Sequence, residues 1–467
     1  MRILSKWAVA GGLFTLGTLA GCGGGNNSSS GTPLSTTGTR SDSPVAPIRV
    51  AYTVTDLGAT EYYYSYFGYI SNRYRYSGVL RINDAGLIIT NSNSSPVLYN
   101  GQPIRLQVLG YSASVNGINN TGMVTGSSYS NSGGHATLWS ESIPRIVDLG
   151  FSNTWSVAYA LNDAGAVVGE ATQGGDWYST ATKATLWQDG QQITLGSLGG
   201  NYSLAYGINN SGSVVGWSQI TTTTNGSYYD YYSPVHAFVW NSGTMTDLGL
   251  LPGGESSDAQ DINDSGQIVG SAETTAKGLY LYRALHAVTW KGGTIGDLGT
   301  LGGPGSIGYA LNNSGMIVGS GDTSTLAPQS TYYGWYYGYG SVGGGGGTAG
   351  GGTGGGGSSP GGGTGGNAGG GTGNNTPPLA GGAGGRSVKS AQGTRSSHSS
   401  TSRGIGDTYV SHAFRYVNGK MEDLNAFIDP DNGWELLTAT DINASGQIVG
   451  YGKYGNKQHA FLLTPVQ

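Results

Sequence analysis

Residues 236–270 read HAFVWNSGTMTDLGLLPGGESSDAQDINDSGQIVG, and three phrases in this stretch return along the whole chain. The first is His236-Ala237-Phe238-Val239-Trp240, the second Asp247-Leu248-Gly249, and the third Ile262-Asn263-Asp264-Ser265-Gly266 leading into Ile268-Val269-Gly270. The first phrase has the period-two pattern of a half-buried strand. The third reads as a tight hairpin. Asn and Asp side chains bond nearby backbone, Gly takes the positive φ, and apolar runs flank the turn on both sides.

The third phrase occurs seven times, at Asn83, Asn119, Asn162, Asn209, Asn263, Asn312 and Asn443. The first occurs at His135, His236, His286, His412 and His459, with Ser95 and Lys183 at the equivalent place in two degenerate copies. The second appears at Asp56, Val108, Asp148, Leu195, Asp247, Asp297 and Asp423, again seven times. Successive Asn positions lie 36, 43, 47, 54, 49 and 131 residues apart. All but the last interval are near the span of a four-stranded propeller blade.

The phrases are out of phase at the two ends. Residues 52–58 supply a second phrase with no first phrase before it, and 459–463 supply a first phrase with nothing after it. Four strands fit each unit: phrase one, phrase two, the strand into Ile-Asn and the strand after Gly. If 459–463 joins the three strands begun at 52, a ring closes with seven complete blades and no exposed edge of an open array remains. The expected fold is therefore all-β, a seven-bladed β-propeller of four-stranded antiparallel blades closed by the C-terminal strand. A β-solenoid is the alternative, but solenoids keep a more constant period and need caps, and neither is visible.

Composition agrees. Only 10% of the 467 residues are charged, Gly numbers 88, and 31 Tyr outnumber 7 Phe. Such a chain suits strands and turns better than helices. Lys and Arg number 21 against 26 Asp and Glu, and no basic stripe is present, which argues against nucleic acid as a partner.

The single cysteine is Cys22, preceded by Arg2 and Lys6, an apolar run from Trp7 to Ala20, and Leu19-Ala20-Gly21. This has the build of a secretory signal, too short for a conventional span. Leu-Ala-Gly-Cys resembles the bacterial lipobox, which implies removal of 1–21 and acylation of Cys22. The mature chain would then carry 19 basic against 26 acidic residues, a net charge of −7. Several acyl chains anchor a protein stably, where one alone is marginal. Residues 22–47 have the Gly, Ser, Thr and Pro content of a flexible tether. Gly23 stands where an inner-membrane retention signal would carry Asp, so the outer membrane or cell surface is favoured.

The series His-Ala-Phe-x-Trp, Asp-Leu-Gly-x-Leu-Gly-Gly and Ile-Asn-x-Ser-Gly-x-Ile-Val-Gly resembles the bacterial extracellular HAF repeats. Residues 236–270 and 286–319 are the best copies, and Asp297-Leu298-Gly299-Thr300-Leu301-Gly302-Gly303 is nearly the whole second motif. The resemblance covers roughly 52–319 and 411–463. It implies an exported or surface protein and carries no catalytic residues to transfer. Ser95 and Lys183 depart from it at the histidine.

The repeated His and Asp are expected to be scaffold, because one repeat position in different blades is spread around the axis. A His ring nitrogen would bond backbone of an adjacent strand or blade, and the Asp a hairpin or inter-blade donor. Asp261-x-Asn263-x-Ser265-Gly266 and Asp441-x-Asn443-x-Ser445-Gly446 echo half a calcium loop, yet the twelfth positions are Ala272 and Gly452 rather than a bidentate Glu. Asp429-Pro430-Asp431-Asn432-Gly433 is another acidic turn. No catalytic residue, cofactor or metal ligand is assigned.

The unequal parts of the repeats are tyrosine-rich insertions containing Tyr63, Tyr64, Tyr66, Tyr229, Tyr231, Tyr232, Tyr280, Tyr282 and Trp335. Strand alternation places them on one face. Variable loops on a rigid face are where binding resides, and Tyr gives amphipathic contact at small entropy cost. The largest insertion, 320–410, is Gly-rich in its middle with no core-forming pattern, and is expected to be disordered. The repeat body, 48–467, is thus read as a monomeric, membrane-anchored propeller. It would be a binding or scaffold protein that holds an extracellular polymer or surface protein, a glycan being one candidate, through those residues. The alternative is a propeller-type lyase or glycosidase, which needs carboxylates, His or Tyr converging from neighbouring blades.

Overall fold

The computed structural model describes residues 50–59, 79–92, 95–131, 133–140, 143–150, 154–172, 181–221, 234–277, 283–326 and 409–466. Strand β1 (Tyr52–Ala59) stands apart from the strands that follow it. Blade 1 is β2 (Leu80–Ile82), β3 (Ile88–Ser92), β4 (Ser95–Tyr99) and β5 (Pro103–Arg105). Blade 2 is β6 (Ser112–Ile118), β7 (Val124–Ser130), β8 (Gly133–Ser140) and β9 (Ile143–Asp148). Blade 3 is β10 (Ser156–Leu161), β11 (Val167–Thr172), β12 (Thr182–Gln188) and β13 (Gln191–Gly196), and blade 4 is β14 (Ser203–Ile208), β15 (Val214–Gln219), β16 (Val235–Asn241) and β17 (Thr244–Asp247). Blade 5 is β18 (Ser257–Ile262), β19 (Ile268–Lys277), β20 (Arg283–Lys291) and β21 (Thr294–Asp297), and blade 6 is β22 (Gly302–Leu311), β23 (Ile317–Leu326), β24 (Tyr409–Val417) and β25 (Lys420–Asp423). Blade 7 takes β26 (Trp434–Ile442), β27 (Ile448–Tyr454) and β28 (Lys457–Pro465), with β1 as its outermost strand.

The fold is a seven-bladed β-propeller of antiparallel sheets. Its closing pair is the expected one, β28 with β1, running from Tyr52 opposite Pro465 to Ala59 opposite His459. The grouping of phrases into blades differs from the sequence reading. Each sheet begins at the strand into Ile-Asn, continues through the strand after Gly, and ends with phrase one and phrase two. The shared blade therefore draws three strands from the C-terminal end and one from the N-terminal end. The insertions of blades 3 to 6 lie between the second and third strands of a sheet, whereas 60–78 lies between blades 7 and 1, so gaps in the repeat do not as a rule mark sheet boundaries.

Two turns make the meander. At each Asn-x-x-Gly corner the Asn Oδ1 accepts the amide four residues on, as Ser213 N to Asn209 at 2.9 Å, while Gly212 takes φ 83°. Third and fourth strands are joined by pairs such as Asp189-Gly190 and Asn418-Gly419, both residues at positive φ, the signature of a type I′ hairpin.

The Gly that ends each Val-Val-Gly run has a different cause. Six innermost strands carry a β-bulge three residues before the Asn, for example between Ala158 and Ala160 and between Ala205 and Gly207. The bulge drives a carbonyl into the neighbouring strand, so a β-carbon at Gly169 would collide with the Val157 oxygen and one at Gly216 with that of Leu204. Blade 1 has Thr90 at this position, and β2 pairs with β3 there without a register shift.

The apolar side chains form one buried cluster at each of the seven blade interfaces. Val168, Leu186 and Ala205 with Phe238 join blades 3 and 4, for instance, and Phe461, Leu424 and Tyr52 fall at the blade 6–7 interface. Burial at about 25 cal/mol per Å² makes these interfaces the main source of stability. Polar links repeat beside them: the amides of Ala136, Ala184, Ala237 and Ala287 donate to Ser156, Ser203, Ser257 and Ser306 of the following blade at 2.8–3.0 Å. Among the described residues no helix is long and apolar enough to cross a membrane.

Candidate functional site

Alternation of strand direction gives the ring two faces. The Asn-x-x-Gly corners and the type I′ hairpins lie on one, called the turn face. The connections from second to third strand, and from each blade to the next, lie on the insertion face. The innermost strands line a central channel between them.

At the turn face each repeat Asn reaches across to the next blade. Nδ2 of Asn83 donates to the Asn119 carbonyl (3.0 Å), Asn119 to Asn162 (2.9 Å), Asn162 to Asn209 (3.2 Å) and Asn209 to Asn263 (3.1 Å). Asn263 to Asn312, Asn312 to Asn443 and Asn443 to Asn83, each 3.1 Å, complete a closed ring of seven bonds. The next residues, Asp84, Asn120, Asp163, Asn210, Asp264, Asn313 and Ala444, make a second ring in which a main-chain amide donates to the Oδ1 of the following blade. Asp and Asn alternate because a carboxylate only accepts while an amide nitrogen donates. Asn210 Nδ2 accordingly lies 3.1 Å from Asp163 Oδ2 and 3.2 Å from Asp264 Oδ2. An odd-numbered ring cannot alternate throughout, and it breaks at Ala444. These rings enclose a cavity of about 160 Å³.

One step deeper, three inner strands contribute charge. The Asp261 carboxylate accepts the amides of Ile262 (2.8 Å) and, in the next blade, Leu311 (3.2 Å). Asp441 accepts Ile442 and Ile82 in the same way, both at 2.9 Å, and Arg81 donates to the Thr440 carbonyl at 2.8 Å. Burial, reinforced by the Asp441 charge, pushes Asp261 up to about 7, against the pull of its amide donors and Arg81. Burial also raises Asp441, with Arg81 opposing.

The bulges form the next tier toward the insertion face. Their extra residues are Asn116, Tyr159, Tyr206, Gln260, Tyr309 and Thr440. Each stays partly exposed while the residue before it is buried. On an innermost strand flanked by neighbouring blades, that exposure opens to the channel. A bulge re-aims a side chain in this way. Tyr159 and Tyr206 meet edge to face at 5.2 Å, and Tyr159 donates at 2.9 Å to Oε1 of Glu170, which is 4% exposed. Burial first, then the Glu170 charge, holds the Tyr159 hydroxyl well above its ordinary value, so it stays a donor. Trp217 Nε1 reaches the Tyr206 hydroxyl at 3.4 Å. In blade 5, Gln260 and the amide and hydroxyl of Ser271 bond the buried Asp258.

The repeated histidines are structural, with a partner the sequence did not indicate. Nδ1 bonds the phrase-two Asp carboxylate rather than backbone: His135 to Asp148 (2.9 Å), His236 to Asp247 (2.7 Å), His286 to Asp297 (2.8 Å), His412 to Asp423 (2.6 Å) and His459 to Asp56 (2.9 Å). The Asp also accepts the amide two residues on, as Gly249 N to Asp247 at 2.7 Å. Lys183 keeps the place by bonding Ser197 Oγ (3.1 Å) and the Gly200 carbonyl (2.8 Å).

The residues of the calcium-like echoes are taken up by protein donors: Asp261 and Asp441 accept the amides described above, and Asn263 Oδ1 accepts from the Ser265 amide, the Ser265 hydroxyl and the Gln267 amide. Asp429 accepts the Asp431 amide, and Asn432 that of Trp434. Among the described residues no group of three or more His, Cys, Asp or Glu is placed to hold a metal ion.

Cys22, Tyr63, Tyr64, Tyr66, Tyr229, Tyr231, Tyr232, Tyr280, Tyr282 and Trp335 lie outside the described residues, as do 327–408 of the Gly-rich insertion. The strands that flank the tyrosine- and tryptophan-bearing segments meet them on the insertion face, whereas β1, which follows the segment of Cys22, starts on the turn face. Sequence reasoning missed Tyr159, Tyr206 and Glu170. The available signal was variability at the third position before Asn, inside a frame that otherwise repeats. The chain matches no protein-family model and no curated protein sequence.

Proposed function

We propose that the protein is an exported, lipid-anchored binding protein of the outer membrane or cell surface, built on HAF-type repeats, whose insertion face holds a glycan. The observation that carries this reading is the channel tier of Tyr159, Tyr206 and Glu170. Scaffold positions repeat from blade to blade, whereas this tier varies, with Tyr in three blades and Asn, Gln and Thr in the other bulged blades, as expected where a rigid frame presents specificity. Aromatic rings offer faces to the C–H side of a sugar, the Asn116 and Gln260 amides can bond its hydroxyls, and the buried Glu170 carboxylate holds the Tyr159 ring in place. The strands that lead into and out of the tyrosine-rich insertions meet them on the same face, which supports their inclusion in the site. The lipobox at Cys22 and the tether to residue 47 support the anchor.

The test is affinity for an array of glycans and of purified surface proteins, using the mature chain. The expected result is selective glycan binding that weakens about tenfold in Glu170→Gln and weakens also when the tyrosines of 228–232 become Ser. Binding left intact by both changes contradicts the assignment of the face. The convergence of Asp261 and Asp441 in the channel favours one second reading, a polysaccharide-cleaving enzyme, for which glycan shortening must be seen and must disappear in Asp261→Asn.

A further inference from the structure

Blades 1, 2 and 7 join their second and third strands by two residues each, and of these blade 7 alone carries an aromatic pair at that edge. Its second and third strands are joined by only Gly455 and Asn456, where blades 3 to 6 carry long insertions. At that edge Trp434 of β26 and Tyr454 of β27 are register partners. Their rings stack at 5.1 Å with 24° between planes. Trp434 is fixed from behind by edge contacts to Phe461 and His459, each at 6.1 Å, and its amide is held by Asn432. Tyr454 also meets His459 at 5.6 Å, yet remains 44% exposed. Beside the rings, Lys453 Nζ bonds Glu435 Oε2 at 3.0 Å, and Glu435 Oε1 lies 3.8 Å from His412 Nε2.

The scaffold does not require this aromatic pair. At the position of Tyr454 the other blades carry Ser94, Ser130, Gln173, Ile220, Thr274 and Thr323. The ring is held in one orientation by Trp434 and His459 before any ligand arrives, which lowers the ordering cost of binding. The polar rim discriminates among occupants. An apolar peptide or lipid would desolvate the Lys453–Glu435 pair and offer it no hydrogen bond, whereas a hydroxylated ring covers the aromatic face and can bond the capacity the pair leaves free.

We propose that Tyr454, backed by Trp434 and flanked by Lys453 and Glu435, is a saccharide-stacking subsite separate from the channel tier, engaging one glycosyl unit of a longer polymer. The subsite rests on the glycan reading of the insertion face and adds a second point of contact to it. Two contacts on one polymer raise the effective concentration at each, so affinity grows with ligand length.

The test is native affinity electrophoresis of the full mature chain through gels containing a neutral β-glucan, a mannan, a xylan or an acidic uronan. The expected result is retardation by at least one polymer. Tyr454→Thr, which installs the residue of blades 5 and 6, weakens it about tenfold, and Tyr454→Phe retains it. Tyr454→Leu, which keeps apolar bulk against Trp434 without a ring face, behaves like Tyr454→Thr and serves if the latter fails to fold. Unchanged retardation of either folded variant overturns the subsite while leaving glycan binding at the face intact. Absence of retardation of the wild-type chain by every polymer overturns both.

Discussion

Ala444 is the one residue that interrupts the alternation of Asp and Asn around the turn-face mouth, and its neighbours show what is missing. Ala444 N donates to Asp84 Oδ1 at 2.7 Å, but its methyl offers nothing to the Asn313 amide. Ala444→Asn can accept that amide through Oδ1 and donate Nδ2 to Asp84. A bond made in a preformed ring contributes about 1 kcal/mol, so the variant should unfold at higher denaturant concentration with an unchanged m-value. Ala444→Asp should gain less, because it sets a second carboxylate beside Asp84. The histidines show how far single residues could be read. Repetition marked His and Asp as scaffold, but not as partners. Their separations are 11, 13 and 403 residues, and only sheet register unites them.

At the scale of the element, the innermost strand does most to shape the site. Its bulge requires Gly in the strand beside it, and the six bulged blades carry that Gly while blade 1, with Thr90, has neither. The Val-Val-Gly signal was therefore plain in the sequence, but its meaning was not, since a glycine after β-branched residues also fits a turn. Blade grouping failed for a related reason. Both hairpins of a blade carry ordinary turn chemistry, and a cyclic repeat has no intrinsic first strand. The inner strand also sets a pH dependence. Asp261 titrates near 7 in the fold and near 4 in an unfolded chain. The native state thus binds the proton more tightly, and this carboxylate's contribution to stability falls as pH rises from about 4 to 7. Asp261→Asn should remove that slope in thermal unfolding followed across the range. An unchanged slope would show that other groups set it.

For the whole molecule, seven interfaces of similar build hold a ring with no central core, so closure matters more than any one blade. The phase offset between the chain ends was legible because β1 carries an Asp-Leu-Gly phrase and β28 a His-Ala-Phe phrase, and only pairing them completes the set. The channel tier was less legible, because Tyr159 and Tyr206 meet only when the inner strands of blades 3 and 4 come together. The most direct test of closure is a disulfide across the seam. Thr53 and Thr464 are register partners, close enough for the geometry a disulfide requires. With Cys22→Ser removing the only native cysteine, the Thr53→Cys/Thr464→Cys chain should form an intramolecular bond in dilute solution and migrate faster on a non-reducing gel. Thr53→Cys/Leu463→Cys, slipped by one residue to the opposite side of the strand, should stay reduced. Free thiols or intermolecular dimers in the first variant would contradict the closed ring.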